Sequence, residues 1–412
     1  MDFQDSPAEA DYRARCVAFL DANAEKRKPG DVLGYRRGQD APGAMDEAKA
    51  FQRKKFEAGF AGITWPKEWG GQGGSPIEQV IYSQEEAKYK VLTGMFGLGL
   101  GMCIPTICRW GTQAQRDRYA VPALRGEEVW CQFFSEPAGG SDLGALRTRV
   151  ERDGDEWVVN GQKIWTSMAH KSDWGVLIAR SDFDRPKHEG LTFFFLSAKT
   201  PGIEMRPIKQ MSGSSHFNEV FFNEVRIPDS QRLGPVGGGW KVAISLLMSE
   251  RYATAENPGP DFEELWAIAG DLELEGGPAL DDAGVQERLA DFYVRAQGLR
   301  FTKYRTMTAL SKGETPGPEA SIGKLVSASK LQEITSYGLE LLGAAGVMDG
   351  EDMPLAGLFE EALIYAPAMR IAGGTDEILR NTIAERVLKL PADLRADKGM
   401  AFKDVPTGGG RA

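Results

Sequence analysis

The spacing of apolar residues changes twice along the chain. Up to about residue 128, apolar positions recur every three or four residues, as in Tyr12 to Leu20 and Phe51 to Phe60, which predicts helices. From Val129 to about Pro235 the period becomes two, with β-branched and aromatic runs such as Trp174 to Ala179 that predict strands. Helical spacing returns after Gly237-Gly238-Gly239. We therefore expect an α+β protein with three domains, at residues 1–128, 129–236 and 237–412.

Two dipeptides in the predicted β-domain are typical of hairpin turns. Asp153-Gly154 and Asn160-Gly161 both combine residues that tolerate positive φ, and they bracket a predicted strand from Glu156 to Asn160. We expect this strand to lead the chain to Trp165 and Ser167, beside the loop that contains Ser135. Sheet geometry should then bring the two segments together.

Composition and charge narrow the possible partners. The chain has 412 residues, of which 42% are hydrophobic, so it can bury a large core. A net charge of −10 argues against nucleic acid or an anionic membrane surface as the main partner, because both select basic faces. The first thirty residues are charged throughout, and no apolar run is long enough to span a bilayer. We expect a cytoplasmic protein.

Cysteine and histidine usage gives no sign of a metal site. The four cysteines have no C-x-x-C spacing, and the chain has three histidines. We expect four reduced, mostly buried thiols, which fit a cytoplasmic protein. These cysteines are Cys16, Cys103, Cys108 and Cys131.

The loop from Phe134 to Asp142 is the first candidate for chemistry. Pro137 and Gly139-Gly140 interrupt any regular element, and Ser135 and Ser141 place hydroxyls on either side of the interruption. Turned N–H groups and hydroxyls suit an anionic ligand, so a phosphate-bearing cofactor is the natural candidate. An ordinary turn between two elements is the alternative.

Four segments in the same order resemble the acyl-CoA dehydrogenase family. They are Gly111-Thr112-Gln113, the Phe134 to Asp142 loop, Gly161-Gln162-Lys163-Ile164-Trp165-Thr166-Ser167, and Gly373-Gly374-Thr375-Asp376-Glu377-Ile378. The resemblance covers most of the chain. It implies an N-terminal helical domain, a central β-barrel-like domain and a C-terminal four-helix bundle. It also implies FAD as cofactor, an acyl-CoA substrate, an electron-transfer flavoprotein as acceptor, and a homotetramer or heterotetramer.

The resemblance also assigns ligand-binding residues. Ser135 and the N–H groups around it would serve the pyrimidine edge of the flavin, Ser167 its N5, Trp165 its outer face and Ser141 the pyrophosphate. The residues implied to bind FAD are Gln132, Phe133, Phe134, Ser135, Gly140, Ser141, Trp165, Thr166, Ser167, Gly343, Thr375 and Glu377. Those implied to bind the substrate are Ser141, Arg251, Gly373 and Gly374. Gly373-Gly374 should precede a helix with Thr375 or Asp376 as N-cap.

The general base is absent from its most familiar position. Removing an α-proton from a thioester requires a carboxylate in a dry site, where burial raises its pKa. Familiar members of the family place this Glu directly before a Gly-Thr pair, and here Gly373 occupies that position. Glu250 follows Trp240, Ala243 and Leu247 at helical spacing, so it falls on a predicted inward face. Glu250-Arg251 also matches the branch, including isovaleryl- and long-chain-type dehydrogenases, in which this helix supplies the base. A purely structural ion pair is the alternative.

A second departure leaves the function open between three hypotheses. Many family members carry an Arg-x-x-Phe-Gly segment that reaches a neighbouring subunit's cofactor, and the matching stretch here is Ala255-Glu256-Asn257-Pro258-Gly259-Pro260. The first hypothesis is a dehydrogenase that forms trans-2-enoyl-CoA with Glu250 as base. The second is an oxidase or flavin monooxygenase on the same fold, and the third is a non-catalytic or half-site subunit of a heterotetramer. By analogy, bulky acyl groups such as sterol side chains or dicarboxylates are candidate substrates.

Overall fold

The computed structural model describes residues 5–27, 41–253, 259–311, 317, 320–348, 354–392, 394–395 and 397–405. The side chains of residues 249–253 lie outside this description, so Glu250 and Arg251 are placed only by their backbone. Residues 255–258, where the Arg-x-x-Phe-Gly segment would fall, also lie outside the described residues.

Helices and strands alternate in long blocks along the described residues. In chain order the α-helices are α1 (Pro7–Asn23), α2 (Ala44–Glu57), α3 (Pro76–Glu86), α4 (Ile104–Trp110), α5 (Gln113–Leu124), α6 (Gly239–Ala253), α7 (Phe262–Asp271), α8 (Ala283–Ser311), α9 (Ala320–Leu342), α10 (Leu358–Met369) and α11 (Asp376–Thr382). The strands are β1 (Glu25–Lys26), β2 (Tyr89–Lys90), β3 (Trp130–Phe133), β4 (Arg149–Asp153), β5 (Glu156–Ser167), β6 (Trp174–Arg180), β7 (Leu191–Ser197), β8 (Ile203–Ile208), β9 (Phe217–Pro228), β10 (Arg232–Leu233), β11 (Glu273–Leu274) and β12 (Gly277–Pro278). This mixture of helix and sheet confirms the predicted α+β class.

The chain divides into two compact units. The sheet unit comprises residues 40–73, 93–250 and 392–412, and the helical unit comprises residues 1–39, 74–92 and 251–391. The sheet unit therefore contains the predicted β-domain together with α2, α4, α5 and most of α6, up to residue 250. The predicted domain bounds at residues 128 and 236 stay predictions.

An eight-stranded sheet organises the sheet unit. Its strand order is β10-β7-β6-β4-β5-β9-β8, and β3 pairs in parallel with β6. Most other pairs are antiparallel, and the longest is β5 with β9, whose register runs from Glu156 opposite Pro228 to Ser167 opposite Phe217. Strand β5 thus crosses the sheet and ends at the segment that contains Trp165 and Ser167.

Both faces of the central strands are buried. Val176 and Ile178 of β6 belong to one apolar cluster, and Leu177 and Ala179 belong to the cluster on the opposite face. This explains why β6 is a continuous apolar run rather than an alternating one. The first cluster also contains Val242, Ala243 and Leu246 of α6, so this helix packs on the sheet.

The Gly111-Thr112-Gln113 segment, which resembles a family motif, begins a helix. The Thr112 hydroxyl accepts a hydrogen bond from Gln115 N (3.3 Å), and Thr112 N donates to Gln115 Oε1 (2.7 Å), which is a capping box for α5. Gln115 Nε2 also donates to Ser230 O (2.6 Å). The motif is therefore explained by helix capping and by the attachment of α5 to the turn after β9.

One of the two predicted hairpin turns is wrong. Asp153-Gly154 does form the turn between β4 and β5, but β5 continues through Asn160-Gly161 to Ser167. A register shift lies between Val159 and Gly161, where a Cβ on Gly161 would lie 2.6 Å from Thr148 Oγ1. Gly161 therefore allows a bulge and a close approach to the backbone after the Ser135 loop, instead of a turn.

The helical unit has its own core. Helices α7, α8, α9 and α10 bury Leu265, Ile268, Ala269, Val285, Leu289, Phe292, Ile334, Leu342 and Phe359 between them. Helices α1 and α3 also pack together in this unit.

Three further findings bear on the sequence predictions. The four cysteines are buried and unpaired, as expected. Among the described residues there is no group of three or more His, Cys, Asp or Glu side chains that could hold a metal ion. No helix in the described parts of the chain is long and apolar enough to cross a membrane.

Candidate active site

A buried carboxylate closes the loop that follows β3. Glu136 N donates to Gly139 O (3.0 Å) and Gly139 N donates to Glu136 O (2.9 Å), so residues 136–139 form a tight turn. The Glu136 carboxylate accepts hydrogen bonds from Arg147 N (2.6 Å), Thr148 N (2.8 Å) and Lys163 Nζ (2.9 Å). Glu136 therefore ties the beginning of the loop both to the residues after its end and to β5.

Glu136 and Lys163 form a buried ion pair. Their side chains are 6% and 0% exposed. Burial disfavours the carboxylate, but the charge and hydrogen bond of Lys163, together with the bonds from Thr148 and Arg147, hold the pKa of Glu136 below its ordinary value. A pair of this kind is costly to break, because the remaining charge would be buried without a partner.

The two segments predicted to lie together are in direct contact. Ile164 N donates to Ser135 O (2.9 Å), and Lys163 Nζ donates to Phe134 O (2.9 Å). Both bonds join the loop after β3 to the end of β5. The prediction that sheet geometry brings Ser135 beside the Trp165 segment is confirmed.

Trp165 lies on a bulge in strand β5. The register of β5 against β9 shifts between Lys163 and Thr166, and the φ angle of Trp165 is +59°. A bulky residue rarely adopts this left-handed conformation. The Trp165 side chain is 55% exposed, and its ring contacts the Phe217 ring edge-on at 5.9 Å between centroids. The bulge thus presents a large flat ring on the surface of the sheet unit.

The loop offers hydrogen-bond donors with no partner inside the described part of the chain. Neither the N–H nor the hydroxyl of Ser135 or Ser141 has a hydrogen-bond acceptor there. At the neighbouring end of β5, the buried hydroxyl of Thr166 likewise has no partner among the described residues. A Cβ added to Gly140 would meet no atom within 4 Å, so the space beside it is open. Free donors next to an exposed aromatic ring fit the polar edge and flat face of a flavin.

Arg180 holds the residues that directly follow the loop. Its side chain is fully buried and donates to Gly144 O (2.6 Å) and Leu146 O (3.1 Å). The Phe402 ring covers the guanidinium at 3.5 Å. Burial lowers the pKa of Arg180 to about 10, which leaves it protonated at neutral pH.

The acidic end of the loop is also fixed. Lys187 Nζ lies 2.9 Å from a carboxylate oxygen of Asp142, and the same ammonium group pairs with Asp397. Residues of the C-terminal segment, Phe402 and Asp397, therefore help to hold the loop that carries Ser141.

The glycine-rich segment near the chain's end lies in the helical unit. Gly373 and Gly374 have φ angles of +66° and +101°, and the Thr375 hydroxyl accepts a hydrogen bond from Ile378 N (3.3 Å). Thr375 is therefore the N-cap of α11, one of the two residues predicted for that role. The neighbouring Asp376 is buried and pairs with Arg370. Gly373 has no side chain that could take a proton.

The remaining predicted residues fall into three groups. The Phe133 and Phe134 side chains are buried in the two clusters on opposite faces of the sheet, so only their backbone can reach a ligand, and Gln132 is partly buried in β3. Gly343, at a φ of +55°, follows the end of α9, and Glu377 is exposed in the first turn of α11. Glu250 and Arg251 were named from the sequence as base and substrate-binding residue, and their side chains lie outside the described residues.

Sequence reasoning missed the side chains that support the loop and the bulge. These are Glu136, Lys163, Arg180 and Asn218, all buried. A charged or amide residue at an inward position of a strand was the available signal, as at Lys163 between the partly buried Gln162 and Ile164. The partners of such residues come from distant segments, so the sequence pattern alone does not identify them.

Family profiles match most of the chain. Profiles described as the N-terminal, middle and C-terminal domains of acyl-CoA dehydrogenase match residues 36–127, 131–225 and 237–388. The profiles and the fold define a flavin-dependent oxidoreductase. The chain belongs to the acyl-CoA dehydrogenase family, whose members act on CH–CH bonds and use FAD.

Curated relatives include two proteins of Mycobacterium tuberculosis. The chain is 39% identical to acyl-CoA dehydrogenase FadE34 over 391 residues, which are 92% of this chain and 52% of that protein. It therefore spans about half the length of FadE34. It is 34% identical to acyl-CoA dehydrogenase IpdE1 over 393 residues, which are 93% of this chain and 98% of that protein.

Solved structures with the same fold include a steroid acyl-CoA dehydrogenase and a two-protein complex. The steroid acyl-CoA dehydrogenase Tcur3481-Tcur3483 matches with a TM-score of 0.80 and 28% identity, over 95% of this chain and 100% of the other. The ChsE4-ChsE5 complex from Mycobacterium tuberculosis matches with a TM-score of 0.78 and 26% identity, again over 95% and 100%.

Proposed function

We propose that this chain dehydrogenates an acyl-CoA thioester to a trans-2-enoyl-CoA in the cytoplasm, with electrons passed to an electron-transfer flavoprotein. The observation that carries the proposal is the direct bond between the two candidate cofactor segments, from Ile164 N to Ser135 O (2.9 Å). It holds a donor-bearing loop beside a bulged strand with an exposed Trp165. The family resemblance assigns this combination to a flavin ring.

In this proposal the sheet unit binds and orients the cofactor. FAD, when bound, supplies the acceptor for the hydride that leaves the substrate β-carbon. Ser135 and the N–H groups around it would hold the ring's pyrimidine edge, Ser167 would donate near N5, and Trp165 would exclude water from the outer face. Ser141 would hold the pyrophosphate. Because Glu136 fixes the beginning of the loop and Arg180 fixes the residues directly after it, these donors need little reorganisation when the cofactor binds.

Glu250 is the proposed base. The family's familiar position is Gly373, which has no carboxylate. Helix α6 buries Ala243 and Leu246 against the sheet, and residue 250 follows them by seven and four positions, which is one face of a helix. In this proposal the Glu250 carboxylate takes the α-proton as a general base.

The proposed substrate is a bulky acyl-CoA. A glycine at the familiar base position leaves out a side chain, and Gly374 beside it likewise adds no bulk. The solved Tcur3481-Tcur3483 structure is that of a steroid acyl-CoA dehydrogenase. Both observations support an acyl group larger than a short fatty chain, and a steroid-derived thioester is the first to test.

A second candidate is a subunit that shares its flavin site with a different chain. One structure with 26% identity is the ChsE4-ChsE5 complex, and another with 28% identity carries the paired name Tcur3481-Tcur3483. This sequence also lacks the Arg-x-x-Phe-Gly segment, which in the family reaches a neighbour's cofactor. In this alternative the chain binds FAD, and so becomes yellow, only when the partner is present.

Flavin content and anaerobic reduction test these proposals. The purified chain is assayed for bound FAD and then mixed without oxygen with short-chain, long-chain and steroid-derived acyl-CoAs. Bleaching of the flavin, fastest with the bulky thioesters, is the expected result. A colourless protein that binds FAD with a co-expressed partner supports the shared site instead. Rapid reoxidation by O₂, rather than by an electron-transfer flavoprotein, would indicate an oxidase or monooxygenase.

A further inference from the structure

The bulge at the end of β5 needs support from outside the strand. Trp165 and Met168 both have positive φ angles, +59° and +58°, and neither is a glycine. Such residues persist only where surrounding contacts hold them. The segment between them carries Thr166 and Ser167, which the family resemblance assigns to FAD binding.

Asn218 of β9 makes the contacts that cross this bulge. Its side chain is fully buried, and its Nδ2 donates to Thr166 O (3.0 Å) and to His216 O (3.2 Å). Its Oδ1 lies 3.0 Å from His170 Nδ1, which donates when that nitrogen carries the proton. Both donors and the acceptor of the amide are thus used.

These hydrogen bonds are part of a connected network around residues 165–168. Asn218 is paired with Thr166 in the register of β5 and β9, immediately after the shift. Met168 N donates to His216 O (2.7 Å), the same carbonyl that accepts from Asn218. One buried amide therefore links the strand before Ser167 to the turn after it.

We propose that Asn218 is a positioning residue for the flavin. It fixes the path of residues 165–168, and through that path it sets where the Trp165 ring and the Ser167 hydroxyl point. His170 orients the amide by bonding its oxygen, so the nitrogen faces the two carbonyls. This inference rests on the proposed function, because it assumes that Trp165 and Ser167 face the cofactor.

The same pair of strands contains a matched control. At the other register shift, Asn160 Oδ1 accepts from Glu224 N (2.9 Å) and Asn160 Nδ2 donates to Glu224 Oε1 (2.6 Å). Glu224 also has a positive φ, of +50°. Asn160 thus bridges a bulge between β5 and β9 as Asn218 does, but no predicted cofactor residue lies on it.

The test compares Asn218→Ala with Asn160→Ala. Hydrogen exchange is first measured on the flavin-free proteins, at the amides of Ile164 and Met168. We expect Asn218→Ala to lower protection there by about tenfold or more, since each lost bond frees one of the groups that hold the segment. Asn160→Ala should leave both amides as in the wild type. Unchanged exchange at both amides in Asn218→Ala would overturn the proposal.

The holoenzyme, with its partner chain if one is needed, supplies the second readout. Visible circular dichroism reports the asymmetry around the bound flavin, and we expect it to change in Asn218→Ala and not in Asn160→Ala. The value of kcat should fall about 10- to 100-fold with a smaller change in KM, as for a displaced catalytic geometry. A flavin spectrum and kcat equal to the wild type would also overturn the inference.

Two further measurements keep the outcomes distinct. If Asn218→Ala does not fold, the exposed His170 is replaced instead, and His170→Ala should raise exchange at Ile164 and Met168 by a smaller factor; no increase contradicts the proposal. A wild-type protein that takes up no flavin, alone or with a partner, contradicts the proposed function. The exchange data from flavin-free protein then still decide whether Asn218 holds the bulge.

Discussion

Strands β5 and β9 are interrupted twice, and the two bulges are held in different ways. At the first, between Val159 and Gly161, a glycine takes the unusual backbone angle of β5 and the bridging side chains of Asn160 and Glu224 are not buried. At the second, before Thr166, the positive φ falls on Trp165, and the supports nearby are the buried Lys163 and Asn218.

The two bulges therefore show two different roles. The first relieves steric strain in the backbone, and the second holds a side chain in a fixed position. A glycine at a bulge removes steric strain and displays no side chain. A tryptophan at a φ of +59° costs free energy, and buried polar contacts must offset that cost. The second bulge therefore displays a ring at a fixed place, which is useful only if the ring meets a ligand. We expect substitutions of charged residues and glycines near the two bulges to change the free energy of unfolding by different amounts.

The largest difference is expected between two cations. Lys163→Met keeps an apolar stem but leaves the Glu136 carboxylate buried without its cation, so the free energy of unfolding should fall by about 3–5 kcal/mol. The control is Arg226→Met on β9, whose partners Asp153 and Glu156 are exposed, and it should leave stability unchanged. Urea unfolding measures both. Equal losses of stability in the two variants would mean that burial of the ion pair does not increase the cost of removing its cation.

A smaller loss is expected at the first bulge. Gly161→Ala would place a Cβ 2.6 Å from Thr148 Oγ1 and 2.7 Å from Thr148 Cα, so the backbone must shift and stability should fall by about 2–3 kcal/mol. Gly154→Ala, at φ +62° with no atom within 4 Å of the new Cβ, should cost about 1 kcal/mol from backbone strain alone. Thermal unfolding compares them. If both variants lost the same amount of stability, the close approach to Thr148 would not explain why residue 161 is a glycine.

The smallest effect depends on pH and lies at the far end of β5. The Asp229 carboxylate accepts hydrogen bonds from Arg232 and from Trp157 Nε1 (2.7 Å), and these contacts lower its pKa to about 2. A lowered folded pKa gives stability that is present above about pH 4 and lost as the pH falls toward 2. Because the carboxylate is 27% exposed, the contribution is discounted for solvent screening to about 1 kcal/mol.

The measurement for Asp229 is a pH series of urea unfolding. Wild type should exceed Asp229→Asn by about 1 kcal/mol at about pH 6, and the gap should close between about pH 4 and 2. A gap that stays constant through this range would contradict the proposed ion pair and favour a role in packing alone.

Local sequence patterns were sufficient to predict individual strands, turns and helix caps. They were not sufficient to predict the buried polar contacts that hold these elements in place. The apolar run of β6, the Asp153-Gly154 turn and the N-cap at Thr375 follow from neighbouring residues, and the structure contains all three. Asn160-Gly161 has the same local signature as a turn, but pairing with β9 continues through it. Long-range pairing outweighed the local preference there.

The candidate site shows the same limit. The contact between the Ser135 loop and β5 was predictable because a sheet brings successive segments together. Lys163 and Asn218 were missed, because their roles depend on partners 27 and 52 residues away, Glu136 and Thr166. The base was inferred because residue 373 is a glycine rather than a glutamate and because residue 250 follows the apolar residues of α6 at helical spacing. Its identity stays a prediction.

Proton removal by Glu250 is the central chemical claim, and flavin bleaching tests it most directly. Wild type, Glu250→Gln and the control Glu287→Gln, an exposed glutamate on α8, are mixed anaerobically with the acyl-CoA that bleaches the wild type fastest. We predict that Glu250→Gln retains FAD but bleaches about 10²- to 10⁴-fold more slowly, the usual contribution of a general base, while Glu287→Gln matches the wild type. A Glu250→Gln protein that bleaches as fast as the wild type would contradict the account.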